Sequence, residues 1–254
     1  MSILGLTIDY GPYGWLEDYN KNWTPNTTDA QGKRYRFGHQ PQVALWNLVQ
    51  LANALYVLID DAKPLEEIIK SYQESFPLKY MVMMNKKLGL TELIEGDNLL
   101  IEQLESNLQL TETDMTIFFR NLAKIDLKVD NEISVFGLIV EAFYLPKELT
   151  KEVKEKWFEW FSTYIKRLKA PQENISDEQR RIAMNATNPK YVLRNYMAQL
   201  AIDDANKGDY KLIEELYQVL KNLYDEQVEK EKWFAKRPEW ARHKVGCSML
   251  SCSS

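Results

Sequence analysis

The sequence is poor in cysteine: its two cysteines, Cys247 and Cys252, both lie within the last eight of 254 residues. This distribution excludes a disulfide-stapled scaffold and is typical of a protein from a reducing compartment. Histidine is equally scarce. His39 and His243 have no neighbouring Ser, Cys or paired carboxylates, so neither a catalytic triad nor a zinc site is predicted.

Long apolar runs and an excess of positive charge are also absent. No stretch approaches the roughly 20 uninterrupted apolar residues of a membrane span, and the first residues lack the basic segment of a signal peptide. Lys and Arg number 32 against 37 Asp and Glu, which gives a net charge of -5. That balance argues against nucleic acid or an anionic membrane as the main partner. We therefore expect a cytoplasmic protein that binds neither.

Apolar residues are plentiful, at 45% of the chain, and recur mostly at helical spacing. The most apolar helix is predicted at 41–59, opened by Pro41, and because it is apolar nearly all round we expect it in the middle of a domain. Further helices are predicted near 64–76, 77–89, 97–109, 130–144, 190–206 and 209–223. Three more are predicted from their first residues: a capping box at Thr111 and Asp114, a start at Thr150, and a capping box at Ser176 and Gln179. After residue 12 no strand is predicted, so the fold class is mainly α.

The first twelve residues have a different pattern. A short apolar run through Ile3, Leu4, Leu6 and Ile8 predicts a buried strand that ends on Asp9, and Tyr10-Gly-Pro12 predicts a turn after it. Asp9 has two interpretations. It is an ordinary turn residue whose carboxylate accepts backbone N–H groups, or it is a ligand for Mg²⁺, which prefers carboxylate and phosphate oxygens. One carboxylate cannot hold a magnesium nucleotide alone.

Two further segments leave their roles open. Residues 13–40 are rich in aromatic side chains and are predicted to form an ordered loop. The Lys and Arg residues within 33–36 either contact phosphates or are solvated. The tail 246–254 carries both cysteines five positions apart, which is not the spacing of a dithiol oxidoreductase. Cys247 and Cys252 are either inert or part of a mobile redox element.

Several stretches together resemble the selenoprotein O (SelO, YdiU) family. The resemblance rests on Ser2 to Leu16, on Asp29-Ala-Gln-Gly, Arg34-Tyr-Arg-Phe and Gln40 to Leu48, and more weakly on Asn188 to Asn195 and the terminal Ser251-Cys-Ser-Ser. It is dense over about residues 1–59, moderate over 184–208 and the tail, and thin between.

The resemblance implies a protein-kinase-like fold that transfers AMP from ATP to Ser, Thr or Tyr hydroxyls of other proteins and releases pyrophosphate. Positioning, metal ions and a cationic clamp on the phosphates are the shared requirements of such chemistry. Asp9 matches the family's metal-binding acid, so the resemblance implies that Asp9 binds Mg²⁺ or Mn²⁺ and, through the metal, ATP.

This chain departs from the family pattern in three respects. The family's Asp-Asn pair, its presumed base and second metal ligand, stands immediately before the residue matching Met1, and the nucleotide-gripping N-lobe lies further ahead. We therefore expect Met1 to be an internal methionine of a longer chain, no catalytic base within 1–254, and no activity of this chain alone. Pro25 occupies the place of a Cys common in relatives, so a loop-to-tail disulfide is unavailable, while a Cys247–Cys252 bond remains open.

The predicted organisation is a single kinase-like C-lobe over 1–254. It divides into a metal-site strand and turn at 1–12, an ordered loop at 13–40, a helical body at 41–245 and the cysteine-containing tail at 246–254. The competing hypothesis is a non-catalytic helical module or remnant that binds a protein partner through the aromatic loop and its acidic surface.

Overall fold

The computed structural model describes residues 4–6, 14–25, 31–128, 131–170, 175–244 and Cys247. Within these ranges the chain is mainly helical, as predicted, and its only β pairings are two isolated bridges, Asp18 with Asp114 and Thr113 with Phe143. The α-helices are α1 Gln40–Ile59, α2 Lys63–Lys87, α3 Asp97–Asn107, α4 Met115–Leu122, α5 Glu132–Ile139, α6 Lys151–Lys169, α7 Asp177–Thr187, α8 Asn195–Ala205 and α9 Lys211–Lys221. Short 3-10 helices lie at Phe37–His39, Val140–Ala142, Pro146–Glu148, Val228–Trp233 and Glu239–Ala241.

The main core is organised around the aromatic stripe of α6. Trp157, Trp160 and Tyr164 are buried at helical spacing, as predicted, and their rings contact one another. Two polar atoms of the stripe have backbone partners, whereas Trp157 Nε1 is buried without one: Trp160 Nε1 donates to the Leu100 carbonyl at 2.9 Å, and the Tyr164 hydroxyl donates to the Leu88 carbonyl at 2.7 Å. These bonds tie α6 to the start of α3 and to the end of α2, so burial of the rings carries no unsatisfied polar group at these two positions.

A second core cluster forms nearer the C-terminus. It contains Tyr191, residues of α8 and α9, Trp233, Ala241 and Cys247. Phe234 packs against both clusters. The helical body is therefore continuous from α2 to the 3-10 helix at Glu239–Ala241.

Helix N-termini follow the predicted capping chemistry in two of three places. Ser176 and Gln179 form the reciprocal capping box of α7, and Thr150 caps α6. The box predicted at Thr111 is wrong. Asp114 is itself the N-cap of α4, and its Oδ1 accepts from the Ile117 N–H at 3.0 Å. An acceptor on the N-cap residue satisfies a free N–H of the first turn, so a single Asp is sufficient.

Two predicted boundaries are also wrong. Residues 64–76 and 77–89 form one helix, α2, which continues through Pro77. The helix is continuous despite the N–H that Pro77 lacks, and the rings of Tyr72, Phe76 and Tyr80 contact one another in sequence across the proline. The helix predicted at 190–206 begins only at Asn195, because the N–H groups of Lys190 and Tyr191 donate to the Leu223 carbonyl instead.

The predicted N-terminal strand is not found where the chain is described. Leu4 and Leu6 are exposed, at 80% and 63%, and Gly5 has a left-handed φ of 68°. A strand needs a partner for its N–H and C=O groups, and no named strand exists among the described residues to provide one. The rest of the predicted strand and turn, including Asp9, lies outside those residues.

Helix α1 forms within one residue of its predicted bounds, but its position is not the predicted one. Val43 is its only buried residue, although 41–59 was expected in the middle of a domain. By length and composition alone, Phe37–Ile59 is also long and apolar enough to cross a membrane. The criterion of roughly 20 uninterrupted apolar residues does not identify this helix. One such helix is weak evidence of a membrane span.

Candidate functional site

After Asp9, the described part of the chain resumes five residues later, at Gly14. Asp9 and Cys252 lie outside the described residues, so the predicted metal ligand and the redox pair stay predictions. Among the residues described, no group of three or more His, Cys, Asp or Glu side chains is placed to hold a metal ion. What the structure shows is how the segment that follows Asp9 is fixed to the helical body.

Backbone hydrogen bonds attach residues 15–19 at two places. The Trp15 N–H donates to Asn195 Oδ1 at 2.7 Å, and Asn195 Nδ2 donates back to the Trp15 carbonyl at 3.3 Å. The Tyr19 N–H donates to the Thr113 carbonyl at 3.1 Å. The side chain of Tyr19 is buried in the main core. Residues 15–19 are thus held against the N-terminal ends of α8 and α4.

A buried ion pair lies beneath this attachment. Arg194 Nη1 and Nη2 donate to Asp114 Oδ2 and Oδ1 at 2.6 and 3.0 Å, and the Tyr144 hydroxyl donates to Asp114 Oδ2 at 3.0 Å. Both charged side chains are at most 1% exposed. Burial alone would lower the pKa of Arg194, but the charge and hydrogen bonds of Asp114 outweigh that effect and raise it. The pair is bidentate and fully desolvated, a geometry that makes either partner costly to remove.

Two more arginines extend the network to the C-terminal region. Arg237 Nη1 donates to Glu17 Oε2 at 3.2 Å and its Nη2 donates to Glu112 Oε1 at 3.2 Å. Arg242 Nη1 also donates to Glu112, at 2.6 Å. Asp18 and Glu239 also contact these arginines, so the carboxyl groups here outnumber the three guanidinium groups.

Among these carboxyl groups, Glu17 has the largest rise in pKa. Burial raises the pKa of Glu17 from its ordinary 4.5 to about 7, against the opposing pull of Arg237. Its Oε1 atom is buried without a hydrogen-bond partner. A carboxyl with one unpartnered oxygen in a desolvated site is stabilised by a proton, so Glu17 is a titrating group of the attachment.

The network has the chemistry of a positioning device. Its members are ion pairs and hydrogen bonds to backbone atoms, and its hydroxyl, that of Tyr144, has a pKa raised by burial. Nothing in it provides an activated nucleophile. It can hold the segment that leads from Asp9 in one place relative to α4 and α8, which is the requirement of a metal ligand supplied by a loop.

Sequence reasoning missed this network almost entirely. Asp114 was assigned to a capping box, and Arg194 and Asn195 belonged to a family-like stretch without an individual role. Their partners lie 80 and 180 positions away in the chain, so no spacing rule connects them. The one available signal is the adjacent Arg194-Asn195 pair within the helix predicted at 190–206.

The predicted cationic loop and the described cysteine have ordinary surroundings. The Arg34 guanidinium stacks over the Trp46 ring at 4.1 Å, and Arg36 Nη1 donates to the Lys33 carbonyl at 3.3 Å. Cys247 is buried in the second cluster, and burial raises the pKa of its thiol. A buried protonated thiol is a poor nucleophile. This finding favours the inert interpretation for Cys247 and leaves Cys252 untested.

A cleft of about 480 Å³ opens between α4, α7 and the 3-10 helix Val228–Trp233. Its lining includes Arg120 and Lys190, but both are paired: Arg120 with Glu226, and Lys190 with Glu226 and Glu231. Arg181 is paired with Glu178, so Lys124 is the cation of this lining for which the described residues provide no ion pair.

Comparison with known proteins settles the family. The family model described as protein adenylyltransferase SelO matches residues 1–221. The chain belongs to the SelO family. It is 60% identical over 254 residues to a protein nucleotidyltransferase YdiU of Flavobacterium johnsoniae, and 54% and 50% identical to proteins of that name from Rhodopirellula baltica and Aromatoleum aromaticum. Each match covers all of this chain but only 48%, 48% and 47% of the relative, so the chain spans about half the length of these SelO-family relatives.

Proposed function

We propose that this chain is the helical C-lobe of a kinase-like protein adenylyltransferase, which moves AMP from ATP to hydroxyl groups of other proteins. The observation that carries the proposal is the family match over residues 1–221, which includes Asp9. The relatives are named protein nucleotidyltransferases, which supports the same reaction class.

Asp9 is the proposed metal ligand. A carboxylate at the start of an anchored loop suits Mg²⁺ or Mn²⁺, and the metal supplies charge neutralisation for the phosphates of ATP when bound. The described residues contribute position: Asn195 holds the Trp15 backbone, and the Asp114–Arg194 pair lies beneath that contact. A metal ligand on a chain that is held nearby loses less freedom when the metal binds than one on a free chain does.

The reaction class is tested with two labels of ATP. The assay uses a chimera in which the unmatched half of the Flavobacterium johnsoniae relative is joined ahead of Met1, the order implied by the family resemblance. Adenylyl transfer leaves the label of [α-³²P]ATP on a protein acceptor, whereas phosphoryl transfer leaves that of [γ-³²P]ATP. We expect the α label alone to be retained. Retention of the γ label would replace the proposal with a kinase.

The chain by itself is expected to be inactive, because one carboxylate without a second ligand, a base and a phosphate clamp cannot hold ATP productively. Incubation of the purified chain with labelled ATP, Mn²⁺ and a protein acceptor measures this directly. Transfer by the chain alone that disappears in Asp9→Ala would contradict the expectation. A chimera that folds and neither binds ATP nor transfers either label would favour the non-catalytic module.

A further inference from the structure

Helix α1 leaves most of its apolar surface open. Val57 and Leu58 are 82% and 79% exposed, and Ile59 and Trp46 are about half exposed. Ile68, on the first turns of α2, adds a fifth large apolar side chain at 62%. Surfaces of this kind on a folded chain mark places where another apolar surface packs.

The composition of α1 fits a protein interior on every side. From Gln40 to Ile59 the helix has no charged residue, and its polar side chains are amides. Its apolar residues Leu45, Leu48, Leu51 and Leu55 are only partly buried. None of the α1 side chains belongs to either described core cluster. A helix apolar nearly all round is stable when it is enclosed on several sides, and here α2 is the helix that packs on it most extensively among the residues described.

We propose that the exposed face of α1 and the first turns of α2, the α1 face, is the surface on which the other half of a SelO-family polypeptide packs. The relatives are about twice as long as this chain, and each match covers the whole of it. About half of the family polypeptide therefore lies outside the described helical body. That half is the occupant of the right size, and the α1 face offers it a run of exposed large apolar side chains, Val57, Leu58 and Ile59.

The chemistry of the α1 face argues against a membrane. Helices that lie on anionic membranes carry Lys or Arg beside their apolar face, whereas α1 carries none and is followed directly by Asp60 and Asp61. Amides at Gln42, Asn47, Gln50 and Asn53 are spaced along the helix, and partners within a protein satisfy such groups more readily than lipid does. The inference concerns packing and does not depend on the reaction proposed above.

Side-chain oxidation by hydroxyl radicals tests the proposal on two folded molecules, this chain and the chimera that joins the unmatched half of the Flavobacterium johnsoniae relative to it. Trp46 is the reporter, at 49% exposed, and Trp240, whose ring contacts Tyr196 of the second cluster, is the matched control, at 48%. We expect oxidation of Trp46 to be at least about fivefold slower in the chimera, since burial removes access to solvent, and that of Trp240 to change by less than about twofold. Equal oxidation of Trp46 in both molecules overturns the proposal.

A pair of valine variants gives a second, independent measurement. Val57→Asp and Val228→Asp alter residues that are 82% and 86% exposed in this chain, so neither should move its Tm by more than about 1 °C. In the chimera Val57→Asp is expected to lower Tm by about 5 °C or more, because a carboxylate would be buried among apolar side chains. Val228→Asp should leave it unchanged.

Two other outcomes would also overturn the proposal. If the α1 face pairs with a second copy, the wild-type chain will sediment as a dimer, Val57→Asp will sediment as a monomer, and the chimera will remain dimeric. If it rests on a membrane, the chimera will float with vesicles of anionic phospholipid and Val57→Asp will abolish flotation. A monomeric chimera that stays in solution, with Trp46 protected, is the expected result.

Discussion

Glu17 should make the attachment of the N-terminal segment weaken as pH rises. Burial raises the pKa of Glu17 to about 7 in the folded chain, against 4.5 ordinarily, so the folded state binds this proton more tightly than the unfolded state does. Folding stability from this group is therefore fully present below about pH 4.5 and is lost as pH rises through about 7. At 1.36 kcal/mol per pH unit, the interval from 4.5 to about 7 corresponds to about 3 kcal/mol.

The test compares wild type with Glu17→Gln, which retains an acceptor for Arg237 but cannot ionise. Urea unfolding at pH 5, 6, 7 and 8 gives the difference in unfolding free energy at each pH. We expect that difference to move by about 2–3 kcal/mol in favour of the glutamine variant between pH 5 and pH 8. Glu95→Gln, at an exposed position before α3, removes the same charge outside the network and gives the baseline series. A Glu17→Gln series parallel to the baseline would refute the reasoning.

Three further predictions concern the described body. Arg194→Met should cost about 3–5 kcal/mol of unfolding free energy in urea because it strands the buried Asp114 charge, whereas Arg181→Met, at a half-exposed ion pair, should cost under about 1 kcal/mol. Trp160→Ala should cost about 3–5 kcal/mol by the same measurement, since the ring is buried and its Nε1 is bonded; a cost below about 1 kcal/mol would contradict its place in the core. Cys247 should react with a thiol reagent at least about tenfold more slowly in the native chain than in urea, and equal rates would show that it is not buried.

Local rules predicted most of the helical body. Helix periodicity and capping residues predict both ends of α1, α3 and α9, and the starts of α6 and α7, within about two residues of those observed, because these signals lie within a few positions of the helix they define. The rules failed where a distant contact decides the conformation. The N–H groups of Lys190 and Tyr191 donate to the Leu223 carbonyl and so lie outside α8. Helix α2 continues past Pro77, where the rings of Phe76 and Tyr80 contact each other.

The candidate site was predictable only in part, for the same reason. Asp9 stands out in the sequence because it ends a short apolar run, and the family resemblance implies that it binds a metal ion. The residues that fix the following segment come together only in the folded chain, as when Arg194 pairs with Asp114 and Asn195 holds Trp15. Helix α1 shows the complementary limit: its composition predicts an interior helix, whereas Val43 is its only buried residue in the part of the chain that is described.

Substitution of Asp9 in the chimera tests the central claim most directly. The claim is that this lobe supplies the metal ligand of an adenylyltransferase, and the measurement is the rate of [α-³²P]AMP transfer to a protein acceptor with Mn²⁺ or Mg²⁺. Asp9→Ala should lower the rate by at least about a hundredfold, the order seen when one group that stabilises transition-state charge is removed. Asp225→Ala, at an exposed turn after α9, should leave it within twofold. Transfer by Asp9→Ala at the wild-type rate would contradict the claim.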